Sequence, residues 1–279
     1  MMDALIAFFT GVNSVSNYFG ACAFSLVQHL PGWASLSILS AVLGVVIYIV
    51  FSLTANVRVF SKILDDIKAN ILAIFLFKDN VLATIRSEFR LVACSGKLLW
   101  YSGVPVLIMS FPLILILAQM AMWYQNRPLL PGVESALVLL RVKTTESPIL
   151  ELQCSPEVEI LAGPVRIPSR REIYWNIRPR VAGIFNLSFQ ENNHVHEKTV
   201  CAGNGFMRLS PKRPGQNLRD ILSYPLEKPL PKESVIQSIA ITYPARDSKI
   251  FGTNWWLLTF CVVSMICALF AKPFIKLQT

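Results

Sequence analysis

Few side chains in this sequence could do chemistry, and their spacing limits what each could do. His194 and His196 would share one face of a strand, a spacing that metal sites use. No third ligand lies near them, and the adjoining Asn192-Asn193 reads as an exposed hairpin tip, so no metal is expected. Cys154 and Cys201 are the only cysteines between residues 125 and 252. Two readings stay open for them: a bridge between sheets in an oxidising compartment, or two separately buried thiols. Cys22, Cys94, Cys261 and Cys267 fall in or beside apolar segments and read as packing residues. Arg208, Lys212, Arg213 and Arg219 crowd into a Pro/Gly loop, where they form either a solvated loop or a patch for lipid headgroups or an acidic partner. Gln119 is the one strongly polar side chain deep in a long uncharged run. No phosphate-cradling Gly-rich loop, no nucleophile elbow and no HExxH pair occurs, so neither an enzyme nor a cofactor is expected.

The elements that hold these residues divide sharply in composition. The chain has 279 residues, 53% of them hydrophobic and only 15% charged. From Met1 to Asn56 there is no Lys or Arg and Asp3 is the only acid, whereas residues 125–252 carry 17 basic and 12 acidic side chains. A membrane portion is thereby separated from a water-soluble one. The formal charge of +9 suits a protein near anionic lipid; with no long basic run or nucleic-acid motif, nucleic acid is not an expected partner.

A helix needs about 20 mostly apolar residues to cross the hydrocarbon. Ala34–Thr54, Trp100–Trp123 and Trp255–Ala271 meet or approach that length without a charge. Ser37, Ser40, Ala41 and Gly44 give the first of them a small-residue face suited to close helix packing. Pro105 and Pro112 should bend the second. Ionisable groups at depth are missing, so ion transport by this chain alone is not expected.

Direction follows from basic residues in short connections. The 55–99 segment has seven, Arg58 to Lys97, against four acids, and the tail has Lys272 and Lys276. Both are placed in the cytosol; the N-terminus and the 125–252 segment are placed outside, in a bacterial inner membrane. Residues 1–33 are apolar but interrupted by Gly11, Asn13, Asn17 and Gly20, and lack the basic start of a secretory signal. They read as an outer-face interfacial helix or a broken re-entrant segment, with a fourth span as the alternative.

Between the first two spans, Val57, Phe60, Leu64, Ile67, Ile71 and Ile74 make one helical stripe; Lys78-Asp79-Asn80 breaks it, and Val81, Ile85, Phe89 and Val92 begin another. The expectation is a cytoplasmic hairpin of two amphipathic helices. Beyond Pro131 the period changes to alternation. Strands are expected at Ala136–Val142, Leu150–Cys154, Val158–Leu161, Glu172–Ile177, Ile184–Gln190, His196–Ala202 and Val235–Tyr243, with a short helix near Asn217–Leu222. Turn residues such as Gly163-Pro164 separate them. An Ig-like β-sandwich with Trp175 in its core fits this pattern.

The fold class is therefore an α+β membrane protein: three transmembrane helices, a cytoplasmic hairpin and an extracytoplasmic β-sandwich. Its spans Ala34–Thr54 and Trp100–Trp123, the amphipathic pair between them, and Trp255–Ala271 resemble in layout the Oxa1/YidC/TMCO1 insertase superfamily. The resemblance covers about half the chain and rests on no motif. It implies an insertase with a hydrophilic groove, for which Lys97 and Gln119 are the nearest polar candidates. The other expected function is a membrane scaffold or assembly protein, whose partners are the bilayer and other membrane or extracytoplasmic proteins.

Overall fold

The computed structural model of the chain describes residues 2–54, 57–76, 81–144, 150–191, 194–246 and 255–273. The Lys78-Asp79-Asn80 break and the Asn192-Asn193 tip lie outside them. The chain is mixed α and β and divides into two units. One comprises Met1–Leu36 with Ile114–Leu258, the other Ser37–Leu113 with Thr259–Thr279.

The second unit is helical. Its elements are most of α2 (Gly32–Thr54), α3 (Val57–Leu76), α4 (Val81–Tyr124) as far as Leu113, and α6 (Trp256–Ala271) from Thr259. The expected second helix of the hairpin is not a separate element: Val81 to Tyr124 is one helix of 44 residues that contains Pro105 and Pro112. No Gly-Pro or Asn-Gly signal stands between Val92 and Trp100, so the amphipathic start runs directly into the apolar stretch. On α3 the stripe is open at Leu64 and Ile71, which are exposed, while Ile67 and Ile74 are half-buried.

Among the described residues two helices are long and apolar enough to cross a membrane, α2 and the Ser87–Tyr124 part of α4; α6 is a shorter apolar helix. A soluble protein hides such helices in its core. Here only 17% and 28% of the most apolar windows of α2 and α4 are buried. Ile38, Val42, Val46 and Leu53 of α2 and Val106, Leu107 and Ile108 of α4 are exposed.

The small face of α2 points inward. Ser40 and Gly44 are buried, Ser37 and Ala41 partly so. A Cβ on Gly44 would meet the Ser264 carbonyl oxygen at 2.4 Å and its Cα at 2.6 Å, so α6 rests directly on the glycine. Gly44→Val should separate this pair and cost about 1–3 kcal/mol, the usual range for overpacking. Thermal melts of the detergent-solubilised protein will read that loss.

Among the described residues the first unit holds α1 (Met2–Val27) and eight strands: β1 (Ala136–Val142), β2 (Leu150–Cys154), β3 (Val158–Ile167), β4 (Glu172–Pro179), β5 (Gly183–Glu191), β6 (His194–Ala202), β7 (Lys212–Arg213) and β8 (Ile236–Ile241). The short helix α5 (Leu218–Ser223) is capped by Asn217, whose side chain accepts from Arg219 N. All ladders are antiparallel. They make a five-stranded sheet, β3-β4-β1-β8-β7, and a three-stranded one, β2-β5-β6. Val138, Leu140, Trp175, Ile177 and Ile239 from the first sheet join Leu187, Phe189 and Val200 from the second in one buried cluster. Trp175 meets Phe189 edge to face at 5.6 Å between centroids. The strand order differs from an immunoglobulin constant domain, whose first strand stands at a sheet edge; here β1 lies between β4 and β8.

α1 is continuous rather than broken. Its buried residues Ile6, Asn13, Gly20 and Val27 recur every seven positions, so one face turns inward; Phe8, Val15, Phe19 and Leu26 are exposed.

Candidate functional site

Asn13, Ser16 and Asn17 stand on the inward side of α1, and their amides need partners once buried. Asn13 Nδ2 donates to Ile221 O at 2.8 Å and Asn17 Nδ2 to Pro225 O at 2.7 Å, which ties α1 to α5 and to the turn that follows it. Gln119, near the end of α4, donates from Nε2 to Asn17 Oδ1 (2.9 Å) and Ser16 Oγ (3.1 Å). Arg208 enters from the loop after β6. It donates to Gln119 Oε1 (2.5 Å), Asn17 Oδ1 (3.2 Å) and Asn17 O (3.1 Å). Gly20 makes room for this meeting, since a Cβ there would lie 2.6 Å from Gln119 Oε1. The structure thus brings together Gln119 and Arg208, which come from different parts of the sequence pattern. Burial lowers the pKa of Arg208, and its Nε is buried without a partner.

An aromatic group continues this collar. Phe24 stacks on Trp123 at 4.7 Å and Trp123 on Phe206 at 6.0 Å. The Arg246 guanidinium lies 3.9 Å from the Phe206 ring centre and donates to Asn126 O and Gly205 O. Burial brings the Arg246 pKa down to about 10. The Tyr124 hydroxyl donates to Ser35 Oγ at 3.0 Å. The collar can fix α1 and the ends of α2 and α4 against the β strands; it holds no nucleophile, base or metal cage.

The remaining basic residues of the expected patch are dispersed. Lys212 pairs with Asp220 at 2.7 Å, and Arg213 donates to Lys228 O (3.1 Å) and Glu197 O. Arg219 is exposed. Lys97 is exposed at a pocket in the helical unit that it shares with Lys62.

Cys154 and Cys201 are free thiols, and the inter-sheet bridge is corrected by their placement. Both sit in the same sheet with β5 between them: Cys154 opposes Leu187, Cys201 opposes Ile184. Two strand spacings, about 9–10 Å, exceed disulfide reach. Burial pushes each thiol up to about 11. Reducing and non-reducing gels of the intact chain should show the same mobility; a shift abolished by Cys154→Ser would contradict this placement.

No cluster of three metal-ligating side chains occurs among the described residues. His196 is buried and its Nε2 lies 3.0 Å from Glu191 Oε2, while His194 is exposed. Ser234 Oγ donates to the same Glu191 oxygen at 2.8 Å and Val235 N to the other at 2.7 Å. Ser, His and Glu therefore converge with the carboxylate in the middle, the hydroxyl and the imidazole both meeting the same carboxylate oxygen. The group is a lock between β5 and the start of β8. Burial raises the Glu191 pKa, but the bonds from Val235, Ser234 and His196 outweigh it and hold the carboxyl below its usual range. Stability from this lock is present above the unfolded carboxylate pKa and lost as pH falls through the lower folded one. Thermal melts between about pH 3 and pH 6 should show a shallower acid limb for Glu191→Gln than for the parent.

No protein-family model, curated protein or solved structure matches the chain.

Proposed function

We propose that the chain is an integral membrane scaffold, with α2, α4 and α6 crossing a bilayer and the two-sheet domain standing outside the cytosol as a docking surface for another protein. The open apolar faces of α2 and α4 support the lipid surroundings. The apolar outward face of α1 fits a helix lying in the interface. The collar supports rigid presentation, because its buried polar bonds leave the β strands no swivel at α1.

One observation carries the docking role. On the outer face of the five-stranded sheet, Leu139, Tyr174 and Val165 are aligned across β1, β4 and β3, and beside them Leu137, Asn176 and Ala162 form a second row. Leu137 and Val165 are 49% and 55% exposed. Ion pairs rim the rows: Arg141 with Glu172 on one side, Arg178 with Glu159 on the other. An apolar centre with a charged rim is the anatomy of a protein interface. An Oxa1/YidC/TMCO1-like insertase is the alternative and calls for an open hydrophilic groove. Gln119, one of its two candidate groups, is filled by Ser16, Asn17 and Arg208, which favours the scaffold.

Crosslinking followed by mild-detergent purification from the native membrane tests this. A partner should co-purify with the parent and with Lys97→Ala, and be lost from Leu137→Glu and Val165→Glu. A partner kept by both glutamate variants, or crosslinks from α3 to ribosomes, would overturn the reading.

A further inference from the structure

We infer that the pocket between α3 and α4 seats the headgroup of an anionic phospholipid, with Lys62 and Lys97 on its phosphate and Trp100 and Tyr101 at the glycerol level. The inference rests on the membrane reading above.

The pocket has a volume of about 560 Å³ and is lined by Lys62, Ile63 and Asp66 of α3 and by Lys97, Trp100 and Tyr101 of α4, among others. That size lies within the usual range for bound small molecules. Two ammonium groups and one carboxylate face it, so it carries a net positive charge. Lys62 and Lys97 join no ion pair among the described residues; the pair that α3 makes is Lys68 with Asp65, at 3.3 Å. Two like charges on one pocket repel each other, and an anion between them removes that repulsion.

Position selects the anion. Lys97, Trp100 and Tyr101 are three and four residues apart and so share a face of α4. Directly after them begins the uncharged run from Ser102 to Tyr124. A Lys followed within one turn by Trp and Tyr marks the depth of the phosphate layer. Beyond it Val104, Leu107 and Ile108 are exposed, giving acyl chains a surface to follow. Gly96 borders the pocket, and a Cβ there would touch nothing within 4 Å, so that wall is open. A zwitterionic lipid would bring its own ammonium towards two lysines. A diester phosphate with an uncharged substituent, as in phosphatidylglycerol, brings only the negative charge.

Full-length protein in mild detergent should be equilibrated with equal amounts of phosphatidylglycerol and phosphatidylcholine and the retained lipid read by native mass spectrometry. Phosphatidylglycerol should be retained about tenfold over phosphatidylcholine. Lys62→Gln and Lys97→Gln should each lower that preference roughly fivefold, the effect of one lysine near an anionic surface. Asp66→Asn should raise it, and Lys68→Gln, outside the pocket, should leave it unchanged. Both lysines are exposed, so these changes leave the fold intact, and matched melting curves will verify that. Equal retention of the two lipids, an undiminished preference in the double variant, or displacement of the lipid by equimolar inorganic phosphate would overturn the assignment. A chain that stays in solution without detergent refutes the membrane reading itself, whereas a chain that needs detergent yet shows no lipid preference refutes only this inference.

Discussion

Arg208→Met is expected to cost about 3 kcal/mol of stability, because it strips a half-buried charged donor from several acceptors at once. Gln119 Oε1, Asn17 Oδ1 and the Asn17 carbonyl all lose the guanidinium. At roughly 2–4 °C per kcal/mol for a chain of this size, the midpoint of a detergent-phase melt should drop by about 10 °C. The paired change separates a hydrogen-bond network from simple loss of bulk. Removing both partners at once leaves fewer unsatisfied groups, so Arg208→Met with Gln119→Leu should be less damaging than the sum of the single changes. Strict additivity would mean that the two side chains do not act together.

Glu227→Ala should be of similar size. Lys198 is among the most deeply buried side chains in the protein, 1% exposed. Its ammonium donates to Glu227 Oε1 at 2.9 Å, Ser210 O at 2.6 Å and Thr199 O at 3.3 Å. Burial pulls the Lys198 pKa down, and the Glu227 carboxylate pulls it back up. Without Glu227 the charge keeps only two carbonyls, and Thr199 N loses its acceptor as well. Breaking a buried pair from one side costs about 3–5 kcal/mol. Lys198→Met with Glu227→Leu should recover much of that loss, since an apolar pair of similar volume leaves no orphaned charge. Chemical denaturation followed by the fluorescence of a variant that keeps Trp175 as its single tryptophan, the other five replaced by phenylalanine, reports the domain directly.

Much of the β domain was legible because alternation is a local signal. Val138, Leu140 and Val142 are buried and Leu137 and Arg141 exposed, as the period of two requires. The exceptions have physical reasons. β3 runs on to Ile167 through Gly163-Pro164, which reads as a turn; an edge strand tolerates a proline because its outward N–H is not needed by a neighbour. β7 is only two residues long, too short to carry a period. In α1, Asn13, Asn17 and Gly20 read as interruptions of an apolar helix. They are its contact face, and the partners that explain them lie about a hundred or more residues away in sequence. Gln119 stood out as the single polar group in an apolar run, and a lone buried amide demands a partner; nothing local marked Arg208 as that partner. The four basic residues cluster in sequence, and three of them meet Gln119, Asp220 and main-chain carbonyls, partners that proximity along the chain does not mark.

Membrane topology is the claim from which the docking face and the lipid seat both derive, and labelling of single-cysteine variants in intact cells probes it most directly. With the native cysteines replaced by alanine, a membrane-impermeant maleimide should modify Val165→Cys on β3 before permeabilisation and Lys68→Cys on α3 only afterwards. Labelling of Lys68→Cys in sealed cells while Val165→Cys stays protected would invert the topology, and recovery of the chain from the soluble fraction would remove the bilayer altogether.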